Sequence, residues 1–379
     1  MEILFKKTGV ELYKKMKSGM SLRGGSESRR SNLKNVKELG RLLRRFASRN
    51  DAKQNISIIC FPFSVGGPND AASDGPETLL KNSIDNDLKE LGYKVKIVQP
   101  PIQLIHETSK SVRSKDVINC VSTKKIKNID LIIKLNKWLA SAVSREVKEG
   151  SIPLTIGGDH SLAIGTISGV SDAVNNIGVL WIDRHFDAHS PKNTPSWRAH
   201  GMPVAVVTAN RGYDSHSGFQ KLLDIGKNSK LPKVKPENFV QIAIGEKSHI
   251  NPNTKWYSME DIDNSGIKKI VNDALNYLLK RVKYVYVAWD IDSLNVTGTG
   301  TSGDCQLTLR EGLVIAREIN KKIRVPGKLI GFEMVEIAPK LERKDLKGQT
   351  ADWAIQLITT SFGGNLFNNL SRLKRNIHI

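Results

Sequence analysis

Cysteine is scarce: Cys60, Cys120 and Cys305 are the only three in 379 residues. Odd in number and widely spaced, they exclude a disulfide framework and favour a reducing compartment, so a cytoplasmic setting is expected. No run of about 18 apolar residues occurs, which excludes an ordinary membrane-spanning helix. Internal repeats are absent, and with them a solenoid architecture. Acidic residues are in short supply: 38 Asp and Glu face 58 Lys and Arg, for a net charge of +20. About half of that excess falls in the first 50 residues, through Lys6, Lys7, Lys14, Lys15, Lys17, Arg29, Arg30, Arg44, Arg45 and others. No zinc-finger spacing or RNP-like motif accompanies the charge. Residues 1–52 therefore read as a basic N-terminal extension. It can be a solvated appendage, a contact for nucleic acid or an anionic membrane, or a targeting segment. Glu2, Glu11, Glu27 and Glu38 count against a mitochondrial presequence.

What is present is an alternation of strand-like and helix-like segments. Ile56–Phe61, Ile152–Ile156, Ile177–Ile182 and a β-branched, aromatic run from Tyr284 through Asp292 read as strands. Asp130–Val147 and Ile267–Val282 read as helices. Such alternation predicts a parallel sheet covered by helices on both faces.

Three strand ends carry the chemistry. The first run closes on Gly157-Gly158-Asp159-His160-Ser161, where two glycines permit a tight turn that delivers His160 to the mouth of a sheet. The second closes on Asp183-Arg184-His185-Phe186-Asp187. If the chain stays extended there, Asp183, His185 and Asp187 share one face and Arg184 points away. The third carries Asp290-Ile291-Asp292, again on one face if the strand period holds. Ligands of open α/β sheets gather beyond the carboxyl ends of the strands. Four carboxylates and two imidazoles match two divalent cations in charge and number. A donor set of oxygen and imidazole without thiolate favours manganese, with other divalent metals possible.

In order along the chain, Gly157–Ser161, Asp183–Asp187, His200-Gly201-Met202-Pro203-Val204, Asp290–Asp292 and Glu336 within Val335–Pro339 resemble the arginase/agmatinase family of binuclear manganese ureohydrolases. The stretch Ile164–Val170 is most similar to bacterial-type arginases. The resemblance implies a three-layer αβα sandwich around a parallel eight-stranded sheet, occupying residues 53–379. It implies two Mn²⁺ held by His160, Asp183, His185, Asp187, Asp290 and Asp292. It also implies hydrolysis of a guanidino (amidine) C–N bond by a metal-bridging hydroxide, as when arginase converts L-arginine to ornithine and urea. Asp187 would both ligate metal and orient the hydroxide, Glu336 would hold the guanidinium, and His200 would shuttle protons. A near-neutral imidazole suits that last role. A homo-oligomer is implied as well.

The substrate-facing positions depart from the family. His189 stands where arginases carry asparagine, and Arg198, in Ser196-Trp197-Arg198-Ala199, replaces the asparagine that helps bind the amino-acid end. Arg198 is expected either to bind a carboxylate or phosphate or to obstruct arginine. The loop after Asp292 is shortened, and Thr299 and Thr301 compete for one family threonine position. Ser196, His189, Arg198, Thr299 and Thr301 are the candidate substrate contacts. The alternatives to arginase are an agmatinase-like, formiminoglutamase-like or other guanidino specificity, or a catalytically impaired metal-binding scaffold.

Overall fold

The computed structural model describes residues 54–113, 123–227, 231–246, 253–301 and 303–365. The basic stretch 1–52 and Cys120 lie outside the described residues. Eight strands form one sheet: β1 (Asn55–Phe61), β2 (Lys94–Val98), β3 (Ser151–Gly157), β4 (Ile177–Ile182), β5 (Phe239–Ile244), β6 (Lys255–Ser258), β7 (Tyr284–Asp290) and β8 (Leu329–Val335). Their order is β2-β1-β3-β8-β7-β4-β5-β6, and every pairing is parallel. The α/β sandwich predicted from the alternation is therefore present. No helix among the described residues is long and apolar enough to cross a membrane.

The central strands are apolar on both faces, as expected for a parallel sheet covered twice. All residues of β4 and β5 are buried. Alternate residues serve opposite cores. Ile56, Ile58 and Cys60 of β1 face one core with α3 (Ile267–Leu279), α4 (Leu309–Ile319) and α5 (Gln349–Ser361). Ile59 and Phe61 face the other, with α1 (Ile129–Lys148) and α2 (Ala163–Ala173). Helices α1 and α2 approach closely because Gly165 and Gly169 offer no side chain: a Cβ on Gly169 would stand 2.5 Å from the Ala140 carbonyl oxygen. The edge strands β2 and β6 are the more exposed ones, each bonded on one side only.

For the site, the strand order matters most. β3, β8, β7 and β4 are consecutive neighbours, although they come from distant parts of the chain. Their carboxyl ends bring together the segments that begin at Gly158, Glu336, Ile291 and Asp183.

Candidate metal centre

Gly158 leaves β3 through a gap that admits no side chain. Its N–H donates to the Phe61 carbonyl, its carbonyl accepts from the Glu336 N–H, and a Cβ there would lie 1.9 Å from the Phe63 oxygen. Gly158→Ala is expected to destabilise the fold by ~3 kcal/mol or more, since backbone rather than a flexible side chain must yield. A thermal melt lowered by less than a few degrees would contradict this. Asp159 then caps a short 3₁₀ turn: its Oδ1 accepts from the Ser161 N–H at 2.9 Å and its Oδ2 from the Gly66 N–H at 3.0 Å. That turn starts at His160 and aims its ring inward.

The His160 ring lies flat on Trp181, with centroids 4.0 Å apart and planes at 9°. Around its Nδ1 stand three carboxylate oxygens: Asp183 Oδ2 at 3.0 Å, Asp187 Oδ2 at 3.2 Å and Asp290 Oδ2 at 3.2 Å. Yet Nδ1 makes no hydrogen bond among the described residues. One nitrogen facing three acceptors without bonding any of them is the arrangement of ligands around a cation. Donors sharing an octahedral ion at about 2.1 Å stand about 3 Å apart. A second group adjoins the first: His185 Nδ1 lies 3.0 Å from Asp292 Oδ2 and 3.5 Å from Asp183 Oδ1. Asp183 thus belongs to both groups, one oxygen to each. Trp181 Nε1 donates to its Oδ2 at 3.0 Å and the His185 N–H to its Oδ1 at 2.6 Å, fixing the carboxylate plane.

The electrostatics point the same way. Burial, followed by the charge of Asp183, pushes the Asp187 carboxyl up to about 7. Burial, then Asp292 and Asp183, raises Asp290 well above the carboxylate range. Buried acids crowded to this degree resist joint ionisation unless cations neutralise them. The donor set therefore fits a pair of divalent ions.

Two local expectations need correction. The pentad is not extended strand: β4 ends at Ile182, and Asp187 adopts left-handed backbone with φ +47°. The ladder persists only as far as Asp183, whose N–H donates to the Ile242 carbonyl, and Arg184, whose carbonyl accepts from Gly245 and Glu246. Asp187 then turns so that its own carbonyl accepts from Val204. Asp290 and Asp292 do not share a strand face either. Asp290 ends β7, its Oδ1 accepts from the Asp292 N–H at 2.8 Å, and Asp292 sits on the 3₁₀ turn this creates. The carboxylates still converge, by capping geometry rather than by strand period.

A pocket of about 120 Å³ opens onto the cluster, lined by His160, His185, Asp187, Asp290, His189, Ser196, His200, Gly201, Glu246, Thr301 and Glu336. Glu336 has φ +60° and is buried; its Oε1 accepts from the His160 N–H at 3.1 Å and lies 3.9 Å from His200 Nδ1. Burial, then the charges of Asp159 and Asp292, raises its carboxyl well above its ordinary value, so a cationic group would be well received there. Burial, then His185 and Arg198, pushes His200 down to about 4. Desolvation thus moves this imidazole below the near-neutral range expected from the sequence.

His189 and Ser196 reach the pocket wall, whereas Arg198 does not line it: Nη1 donates to the Gly67 carbonyl at 2.6 Å. Thr301 Oγ1 donates to Asp292 Oδ2 at 2.6 Å, while Thr299 is buried away from the wall. Sequence reasoning gave no role to Asp159, Trp181, Gln306 or Glu333. Gln306 Nε2 donates to the Asp292 carbonyl, and Glu333 is fully buried behind His160. The available signal for Glu333 was an acid inside an otherwise apolar strand.

The arginase family model matches residues 54–363. Arginase of Staphylococcus aureus (strain COL) is 31% identical over 327 residues, covering 82% of this chain and 98% of that protein. Arginase of Bacillus caldovelox is 31% identical over 324 residues, covering 82% and 99%. The crystal structure of arginase from Bacillus subtilis superposes with a TM-score of 0.70 at 28% identity, over 83% of this chain and all of that one. With a parallel sheet of the same fold, a shared carboxylate between two His/Asp groups and near-complete coverage of these relatives, the chain belongs to the arginase family and is a ureohydrolase.

Proposed function

We propose that this ureohydrolase cleaves the guanidino C–N bond of L-arginine, releasing urea and ornithine, on a pair of manganese ions. The observation that carries the reading is Asp183: one buried carboxylate serves two donor groups, and those groups open into the pocket that Glu336 and His200 also line. His160, Asp183, Asp187 and Asp290 would hold one ion, and Asp183, His185 and Asp292 the other. Such ions supply Lewis acidity and an acidified water at neutral pH. An oxygen and imidazole donor set without thiolate supports manganese.

The chain's own residues supply the rest. The Glu336 carboxylate receives the guanidinium and orients its carbon toward the metal cluster, an entropic and electrostatic gain at once. Asp187 accepts a hydrogen bond from the attacking water and aligns it. As the new C–O bond forms and the C–N bond breaks, a proton must reach the departing amine. His200, at the pocket wall, would relay it. His189, Ser196 and Glu246 line the same pocket and would meet the amino-acid end; Glu246 Oε1 is engaged by the Phe186 N–H at 3.1 Å. Because Arg198 is bonded to Gly67, it would shape the loop rather than contact substrate. The cytoplasmic setting, the homo-oligomer and the separation of a basic extension from the hydrolase domain belong to this reading too.

The test is a release assay on the manganese-loaded full chain over arginine, agmatine, formiminoglutamate and longer guanidino compounds. Urea from arginine, lost on chelation and restored by Mn²⁺, is the expected result. Urea from agmatine alone, or release from formiminoglutamate alone, would replace arginine with that specificity. No release from any compound would favour a metal-binding scaffold.

A further inference from the structure

Arg198 stands outside the pocket wall, yet its place is built rather than incidental. Trp197, just before it, takes left-handed backbone with φ +57°, a conformation that a bulky residue keeps only where its surroundings hold it. They do. The Trp197 N–H donates to Thr194 Oγ1 at 3.0 Å, its carbonyl accepts from the Lys127 N–H at 3.0 Å, and its side chain is buried. From this turn the half-buried Arg198 reaches the loop 64–69, where Nη1 donates to the Gly67 carbonyl at 2.6 Å. Two residues on, the His200 N–H donates to the Gly66 carbonyl at 3.2 Å.

That loop is itself fastened to the metal cluster. The Gly66 N–H donates to Asp159, whose carboxylate caps the turn that carries His160. Nothing separates loop and turn: a Cβ on Gly66 would stand 2.5 Å from Ser161 Oγ, and one on Gly67 3.1 Å from the Asp159 Cβ. Asn128 Nδ2 holds the Val65 carbonyl at 2.8 Å, and Ser64 Oγ holds the Asn69 carbonyl at 2.9 Å. A firm loop therefore lies between two short turns, one bearing His160 and the other His200. The second turn, Ala199–Gly201, has three residues and little stability of its own, so its place is set by what it touches. The His200 ring does not anchor it to Glu336: Nδ1 lies 3.9 Å from Oε1, beyond hydrogen-bond reach. The charge-assisted bond from Arg198 is the stronger kind of tie.

We propose that Arg198 is a positioning residue for the reaction: by clasping the Gly67 carbonyl it fixes the His200 turn against the metal cluster, and so governs turnover rather than substrate affinity. The inference rests on the relay role of His200 given above. It also accounts for the departure at this position, where the family resemblance implies an asparagine that binds substrate. Here the position braces a loop. Proton relay is sensitive to such bracing, because a misplacement of about 1 Å can slow a reaction by about 10²-fold.

The experiment is steady-state kinetics on the manganese-loaded full chain, with the guanidino compound from which wild type releases urea. Arg198→Met keeps the stem and removes the donors. It should lower kcat by about 10- to 100-fold, with KM within about threefold of wild type and bound Mn²⁺ unchanged. Arg198→Lys keeps a charged donor and should recover most of kcat. Arg198→Gln, shorter and uncharged, is the second variant and should behave as methionine does. The deciding readout is a double-mutant cycle. His200→Ala should lose about 10²- to 10⁴-fold in kcat, and in that background Arg198→Met should change kcat by less than about twofold. An equal loss from Arg198→Met in both backgrounds, or a raised KM with kcat kept, would overturn the inference and leave the relay role of His200 intact. A His200→Ala variant with wild-type kcat, or a wild type that releases no urea, would overturn both.

Discussion

Asp183→Ala is expected to remove both metal ions and to lower kcat by at least ~10³-fold, a loss of about 4 kcal/mol of transition-state stabilisation. Other ligand substitutions should be milder in metal content. Asp290→Ala, for example, takes away an oxygen that stands 3.2 Å from His160 Nδ1. Asp183 is different because its two oxygens serve different groups. The metal-free protein need not suffer in proportion. Trp181 Nε1 and the His185 N–H lose an acceptor, at about 1–3 kcal/mol each, but one charge also leaves a crowded acid cluster. The discriminating measurement is the rise in Tm on adding Mn²⁺. Wild type should gain stability by mass action, and the variant should gain none. A variant that still melts higher with Mn²⁺ and retains both ions would remove Asp183 from its bridging role.

Glu336→Gln should act on substrate and not on metal. Its carboxylate lies in the pocket wall but outside both donor groups, so bound Mn²⁺ should be unchanged. What is lost is the ionic partner of the guanidinium. Breaking a buried pair from one side costs about 3–5 kcal/mol, which corresponds to roughly 10²- to 10⁴-fold in kcat/KM. The amide keeps an oxygen to accept from the His160 N–H, so the fold should survive. If kcat/KM toward arginine stayed within about threefold of wild type, Glu336 would not be the guanidinium contact.

The two substitutions probe residues that were legible to different degrees. Asp183, His185 and Asp187 could be read from the sequence because acidic and imidazole side chains directly follow a six-residue apolar strand, a contrast that needs no tertiary knowledge. The reason given for their convergence was wrong in detail. Strand pairing runs out within the pentad, after Arg184, and left-handed backbone at Asp187 does what alternation was expected to do. Asp290 and Asp292 converge through a cap for the same reason: a side chain that bonds its own backbone redirects the chain. Glu333 was hidden, since one acid in an apolar strand gains meaning only when its neighbours across the sheet are known. Arg198 was legible as a departure, but its hydrogen bond to Gly67 depends on a loop more than a hundred residues away in sequence.

By itself the sequence determined the alternating α/β plan, the strand ends that bear donors and the choice of oxygen and imidazole over thiolate. Those properties are local: burial pattern, turn chemistry and ligand type are written residue by residue. Tertiary structure alone decided that β3, β8, β7 and β4 lie side by side, that Asp183 is shared, and that Glu333 stands behind His160. Strand order and the partners of a buried side chain are contacts between distant segments, fixed by how the whole sheet packs rather than by any stretch of it.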